Sequence, residues 1–222
     1  MARLPRLVLA GQPHLVVQRT LDARAAFADA ADRALFIDIL REALAVERVE
    51  LHAYALREDE LRLLLTPATA PALARLMQAL GRRYVSAYNR RHGRRGTLWD
   101  GRFRACAVES GDCVLAAMAW IEQDAPAGQG SSAEHHLGTH RVPLIVDPPA
   151  YWSLGNTPFA REAAWRRCLD AGLTEPLATR LARALRGGWA FGSPAFIQSA
   201  ATPDRPASPR PAGRPKRSCV SA

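Results

Sequence analysis

The stretch VELHAYALREDELRLLLTP, residues 49–67, leaves the backbone the least freedom of any part of the chain. Val49, Leu51, Ala53 and Ala55 alternate with Glu50, His52 and Tyr54, the two-residue period of a half-buried strand. After a turn at Arg57 to Asp59 the run LRLLLTP makes a second strand, and the two read as an antiparallel hairpin. Before it, PHLVVQR at Pro13 to Arg19 is short, β-branched and bounded by proline, as a first strand is. Between them, Asp29 and Asp32 suit a helix start, and Leu35, Phe36, Ile39, Leu40 and Leu44 give an apolar face through about Val46.

Beyond the hairpin, Leu73, Leu76, Met77, Leu80, Tyr84 and Tyr88 fall at three-four spacing, one face of an amphipathic helix that ends near Gly93. A strand around Phe103 to Val108 and a helix from about Asp112 to Gln123 follow, with Val114, Leu115, Met118 and Ile121 inward. The order predicts an α+β fold, a ferredoxin-like β-α-β-β-α-β-α sandwich with an antiparallel sheet and helices on one face. Residues 1–126 form this domain and 127–150, rich in Gly, Ser, His and Pro, form a linker. Residues 151–200 make a helical extension, with helices at Pro158–Ala171 and Glu175–Arg186, and 201–222 read as a disordered basic tail.

Eight arginines crowd one segment: Arg82, Arg83, Arg90, Arg91, Arg94, Arg95, Arg102 and Arg104, among Tyr84, Tyr88, Trp99 and Phe103, with only Asp100 opposing them. Gly93 and Gly96 let the backbone turn, which would spread these cations over a helix end and a loop. Guanidinium groups grip phosphate oxygens by paired hydrogen bonds, and aromatic rings stack on unpaired bases. A net charge of +9 and a pI near 10.4 point the same way, to a polyanionic partner. No apolar run is long enough for a membrane span or a secretory signal, so the expectation is a cytoplasmic protein with no membrane partner. Cys106, Cys113, Cys168 and Cys219 show no metal-ligand spacing and are expected as reduced, mostly buried thiols. His135, His136 and His140 lack flanking cysteine or acid ligands, so they are expected as exposed loop histidines, with no metal. In the tail, AGRPKR resembles the Gly-Arg-Pro core of AT-hook peptides, which adds Arg214 to the candidate DNA contacts.

HAYALREDELRLLLTP, ARLMQALGRRYVSAYNRRHGRRGTLWDGRFRACAVES and AAMAWIEQ resemble, in order and spacing, the single-tyrosine HUH transposases, in the branch associated with repetitive extragenic palindromes. The resemblance covers roughly residues 3 to 126, and YWSLGNTPFAREAAWRRCLD, ALRGGWAFGSPAF and GRPKR resemble that branch's C-terminal extension. It implies a fold that recognises hairpins in single-stranded DNA. It also implies cleavage by a helix tyrosine, with a histidine pair and a polar side chain holding a divalent metal on the scissile phosphate. Here the histidine-pair positions carry Glu60 and Arg62, the nucleophile position carries Trp120, and the third-ligand position carries Asp124. Arginine cannot coordinate a metal ion, and indole has no oxygen with which to form a phosphoester.

The expected function is therefore a transposase-family protein that binds hairpin-bearing single-stranded DNA without cleaving it. Arg62 and the eight clustered arginines would lie on phosphates, and no metal or other cofactor is expected. A homodimer is left open. Two alternatives stand beside this: an active transposase using another tyrosine, with Tyr54, Tyr84 and Tyr88 as the candidates, and an RNA-binding sheet of the same topology.

Overall fold

The computed structural model describes residues 5–123, 125 and 130–209. Strand β1 (His14–Arg19) is followed by helix α1 (Ala30–Glu47), the hairpin β2 (Val49–Leu56) and β3 (Glu60–Pro67), helix α2 (Ala70–Arg91), strand β4 (Arg104–Ala107) and helix α3 (Asp112–Glu122). This is the expected order. All strand pairs are antiparallel and the sheet order is β2-β3-β1-β4. Helix α1 starts where the aspartates predict, because the Asp29 carboxylate accepts from the Asp32 backbone N–H at 2.9 Å.

The sheet is covered on both faces, not on one as the sequence suggested. Val16, Leu61, Leu63 and Leu65 pack against α1 and α2 in one core. Leu15, Val17, Leu64 and Cys106 point the other way, into a second core with Val114, Met118 and Ile121 of α3. Strand periodicity produces this outcome, since neighbouring residues of β1 and β3 are apolar and must be buried on opposite sides.

The C-terminal helices belong to that second core. After α4 (Ala133–His136) and α5 (Pro149–Trp152), helices α6 (Pro158–Ala171) and α7 (Glu175–Gly187) bring Trp165, Leu181 and Leu185 onto the same surface as α3. A last helix, α8 (Pro194–Ala200), closes the series. Helices α4, α5 and α8 run to only four, four and seven residues, too short for a periodic signal.

Both sheet edges are also occupied. Val146 donates its backbone N–H to Leu51 O at 2.8 Å on the β2 side, and Phe191 donates to Ala107 O at 2.8 Å on the β4 side. His52 reinforces the first contact. Its Nδ1–H donates to Val146 O at 2.6 Å and its Nε2 accepts from Thr66 Oγ1 at 2.8 Å. Contrary to the expectation of disorder from residue 201, residues 201–207 are packed. Ala190 donates to Ala207 O at 2.8 Å and Ala207 is buried, so packed chain continues to that point. The rest of that tail, Arg214 included, lies outside the described residues. Cys106 is buried, Cys113 and Cys168 are half-buried, and Cys219 is also outside the described residues. No described helix is long and apolar enough to cross a membrane.

His14 opens β1 as a fully buried ring. Its Nδ1–H donates to Gln12 O at 2.7 Å and its Nε2 accepts from the Leu9 N–H at 3.2 Å, a pair of bonds that only the neutral ring can make. Burial lowers its pKa to about 4, with the bond to Gln12 offsetting part of the effect. The folded chain thus keeps this ring neutral at pH values where the unfolded chain, titrating near 6.5, takes up a proton. Stability is expected to be full above that range and to fall as the pH drops from about 6.5 towards 4, by about 2 kcal/mol at pH 5 from this ring alone. Urea unfolding at a series of pH values checks this; a His14→Asn chain with the same slope between pH 7 and 5 would remove His14 as its source.

Candidate nucleic-acid interface

Helix α2 buries the face that its spacing predicts: Leu73, Leu76, Met77, Leu80, Tyr84 and Tyr88 all lie in the core. The two tyrosines therefore cannot stack on bases. Tyr84 OH donates to Ala26 O and Tyr88 OH to Ala25 O, and the Tyr84 ring packs against Phe27, Phe36 and Trp99. Their hydroxyls hold the chain ahead of α1 in place, which is a structural task.

The arginines of this segment divide into two sets. Arg83 pairs with Glu42 of α1, and Arg91 pairs with Asp29 and with Asp32, whose side chain is fully buried. The expectation that only Asp100 opposes the run is thus corrected: the opposing acids come from α1 and its N-cap, 41 to 62 residues earlier in the chain. Arg91 holds the Asp29 carboxyl down at about 2, and Asp32 also accepts from the Ala28 backbone N–H and from His92. By contrast Arg82, Arg90 and Arg95 are exposed with no ion pair among the described residues, and Arg94 lies over the Tyr88 ring at 5.8 Å.

Past the helix, Gly93 and Gly96 adopt left-handed φ values of 60° and 88°, as the turning loop requires. The loop is then laid along the end of β1. Leu21 donates to Leu98 O, Asp100 donates to Arg19 O, and Gln18 Nε2 donates to Gly101 O. This contact carries Arg102, Phe103 and Arg104 into a cleft of about 970 Å³ between the β1–β4 edge and α7. Arg6, Arg19, Trp120, Arg186, Trp189 and Arg205 line it too. Of these, sequence reading had singled out Arg102, Arg104 and Trp120. Phe103 lies in the same run, and Arg186 and Trp189 lie in ALRGGWAFGSPAF, which the packing of α7 on β4 brings here; Arg6, Arg19 and Arg205 stand in no run or motif. None of Arg82, Arg83, Arg90, Arg91, Arg94 and Arg95 lines the cleft.

Three rings in the cleft each carry a guanidinium on one face. Arg6 lies 3.7 Å from the Phe103 ring centre, Arg62 3.9 Å from Trp120 and Arg205 4.7 Å from Trp189. Arg205 is otherwise committed to the backbone, donating to Gly188 O and Pro206 O. Arg102, Arg104 and Arg186 are exposed and make no ion pair among the described residues.

At the cleft floor, positions 60, 62 and 120 come together as one ion-paired stack. Glu60, only 5% exposed, receives Arg19 Nε on one oxygen and Arg62 Nε on the other, each at 2.6 Å. Arg62 also donates Nη1–H to Trp120 O at 3.0 Å. Burial pushes the Glu60 carboxyl up, but the two guanidinium groups outweigh it and hold the carboxyl below its usual range. Both carboxylate oxygens already face cations, and one of these, Arg62, carries a permanent charge of the wrong sign for an ion, so these residues do not fit a divalent metal. Asp124 lies outside the described residues.

No tyrosine takes the place of Trp120. All four in the chain are buried, at 2% for Tyr54, 0% for Tyr84, 4% for Tyr88 and 5% for Tyr151. Burial raises the Tyr54 pKa to about 12, and none of the four lines the cleft.

No family model matches the chain, and no curated protein matches it. Among solved structures the chain is similar to a REP-associated tyrosine transposase bound to a REP hairpin, at 9% identity over 68% of this chain and 93% of that one, with a TM-score of 0.48. It is also similar to a putative transposase from Deinococcus radiodurans R1, at 23% identity over 49% of this chain and 88% of that one, with a TM-score of 0.37.

The division of the arginines has a measurable consequence. Arg91→Ala leaves the buried Asp32 carboxylate without its guanidinium partner and is expected to lower the urea unfolding midpoint measurably. Arg90→Ala at the neighbouring exposed position should stay within about 0.5 kcal/mol of the parent. Equal losses for the two variants would mean that the Arg91–Asp32 pair contributes nothing.

Proposed function

We propose that this chain is a DNA-binding relative of the single-tyrosine HUH transposases that holds structured single-stranded DNA in the arginine-lined cleft and does not cut it. One observation carries the reading: the Arg19–Glu60–Arg62–Trp120 stack occupies the three positions to which the sequence resemblance assigns metal binding and nucleophilic attack. Residues 60, 62 and 120 meet at a cleft floor, where a shared site would need them, yet what meets there is a salt bridge capped by an indole. Arg62 supplies fixed positive charge where the family's metal would sit. Such a charge attracts a phosphate but cannot activate one for attack.

The cleft walls suit the same ligand. Arg102, Arg104 and Arg186 offer uncommitted guanidinium groups, while Phe103, Trp120 and Trp189 offer rings for unpaired bases. Against these stand Asp100, which also lines the cleft, and Glu60, which is neutralised within its own ion pairs. The exposed Arg82, Arg90 and Arg95 then form a separate positive surface along α2 and the loop after it, available to the longer backbone of a hairpin. The RNA reading has less support, because a stacking sheet needs an open face and both faces of this one are packed under helices.

Incubation with hairpin-bearing single-stranded DNA and magnesium or manganese should give neither nicked product nor covalent adduct. A metal-dependent protein–DNA band on a denaturing gel would overturn the inactive reading. Replacing Glu60→His, Arg62→His and Trp120→Tyr together is the change that could restore nicking, while any one alone leaves it absent, because metal and nucleophile act as a unit.

Binding itself should weaken steeply with salt, each arginine–phosphate contact adding roughly 0.7 to the logarithmic slope on a single strand. Arg102→Glu with Arg104→Glu should cut affinity for such a hairpin at least tenfold and flatten that slope, with little change in the unfolding midpoint, since both side chains are exposed. Undiminished affinity in the double variant would place the DNA elsewhere on the molecule.

A further inference from the structure

The connection between α3 and α5 gathers groups for which DNA binding has no use. His136 was expected on an exposed loop but is fully buried, and His135, half-buried, precedes it on α4. The acid of the group is not the neighbouring Glu134 but Asp147, and one ligand atom from each of the three residues lies within 4.8 Å of the other two. His140, by contrast, stays exposed and outside the group.

His136 is held the way a metal ligand is held. Its Nδ1–H donates to Glu122 Oε1 at 2.6 Å, and that carboxylate is itself fixed by Ser132 Oγ–H and, at 2.8 Å, by the Trp165 indole N–H. A carboxylate behind one ring nitrogen sets the tautomer and leaves the other nitrogen's lone pair free to coordinate. The free nitrogen, Nε2, is buried without a hydrogen-bond partner, a costly condition for a polar atom. It lies 3.4 Å from Asp147 Oδ1, and His135 Nε2 lies 3.3 Å from the same oxygen. Both spacings are long for hydrogen bonds. They match the edges of a tetrahedron whose corners sit about 2.0 to 2.1 Å from a central ion, edges of about 3.3 to 3.4 Å.

We propose that His135, His136 and Asp147 form a binding site for a divalent transition ion of the zinc class, with water as the fourth ligand. Nitrogen and carboxylate donors in this number suit zinc or cobalt, and the ion would fasten the segment after α3 to α3 and α6 through Glu122. The site is separate from the cleft. His135 must adjust to serve: its Nδ1 accepts from the Val142 N–H at 3.0 Å, so in the metal-free chain its proton sits on Nε2, facing Asp147. Binding therefore moves that proton to Nδ1 at the expense of the Val142 contact, and because protons compete with the ion for both rings, affinity falls as the pH is lowered. The rival occupant of the same position is a second proton on His136, shared between Glu122 and Asp147.

The full-length chain, freed of metal by a chelator and titrated with Co2+, decides between ion and proton. Expected is one equivalent per chain, with the visible absorption of a four-coordinate nitrogen–oxygen site, no thiolate charge-transfer band, and displacement by Zn2+. Asp147→Asn and His135→Gln should each weaken Zn2+ binding at least tenfold while leaving circular dichroism of the metal-free chain unchanged. The partly accessible His135 keeps the comparison open should Asp147→Asn fold poorly. Absence of stoichiometric uptake at micromolar metal, uptake with thiolate bands, or unaltered affinity in His135→Gln would each overturn the proposal and leave a proton as the occupant.

Discussion

The two-sided burial of the central strands is the constraint on which everything else rests. In β3, Leu61, Leu63 and Leu65 face α1 and α2 while Leu64 faces α3, and in β1 Val16 is flanked by Leu15 and Val17 pointing the opposite way. Each such side chain contributes roughly 1.5 to 3 kcal/mol when removed from water, so neither face could be left open. One helix of eleven residues cannot cover a four-stranded sheet, and the C-terminal helices complete the second layer. What looked like an appendix is half of a core. The cleft is a product of that packing, since α7 supplies one wall and the β1–β4 edge the other.

Within this frame three buried carboxylates tie distant segments together. Asp32 joins α1 to the end of α2 through Arg91 and His92; Glu60 joins β3 to β1 through Arg19; Glu122 joins α3 to α4 and α6. A buried carboxylate without donors is strongly unfavourable, and each of these has at least two. Two of the three also settle chemical questions. Glu60, by pairing with Arg62 and Arg19, has both its oxygens occupied by guanidinium groups. Glu122, by orienting His136, leaves one imidazole nitrogen aimed at Asp147.

The order of elements through α3 was legible in the residues because each element has its own signal: period two in the hairpin, three-four spacing in α2, and the Asp29 cap at the start of α1. That positions 60, 62 and 120 lie together agrees with the register of the stretches around them. The fate of individual polar side chains was not legible. Tyr84 and Tyr88 sit among arginines in sequence, yet their three-four spacing already placed them on the apolar face, and the structure keeps them there. Arg83 and Arg91 looked uncompensated because their acids lie on another helix. Arg19, Arg186 and Trp189 gave no sign of sharing a cleft, and His136 none of being buried. Local spacing determines which face a side chain takes, because helix and strand geometry repeat over a few residues. Which charges meet across the molecule is decided only when α1 packs on α2 and α7 on β4, since no local pattern encodes contacts made across such separations.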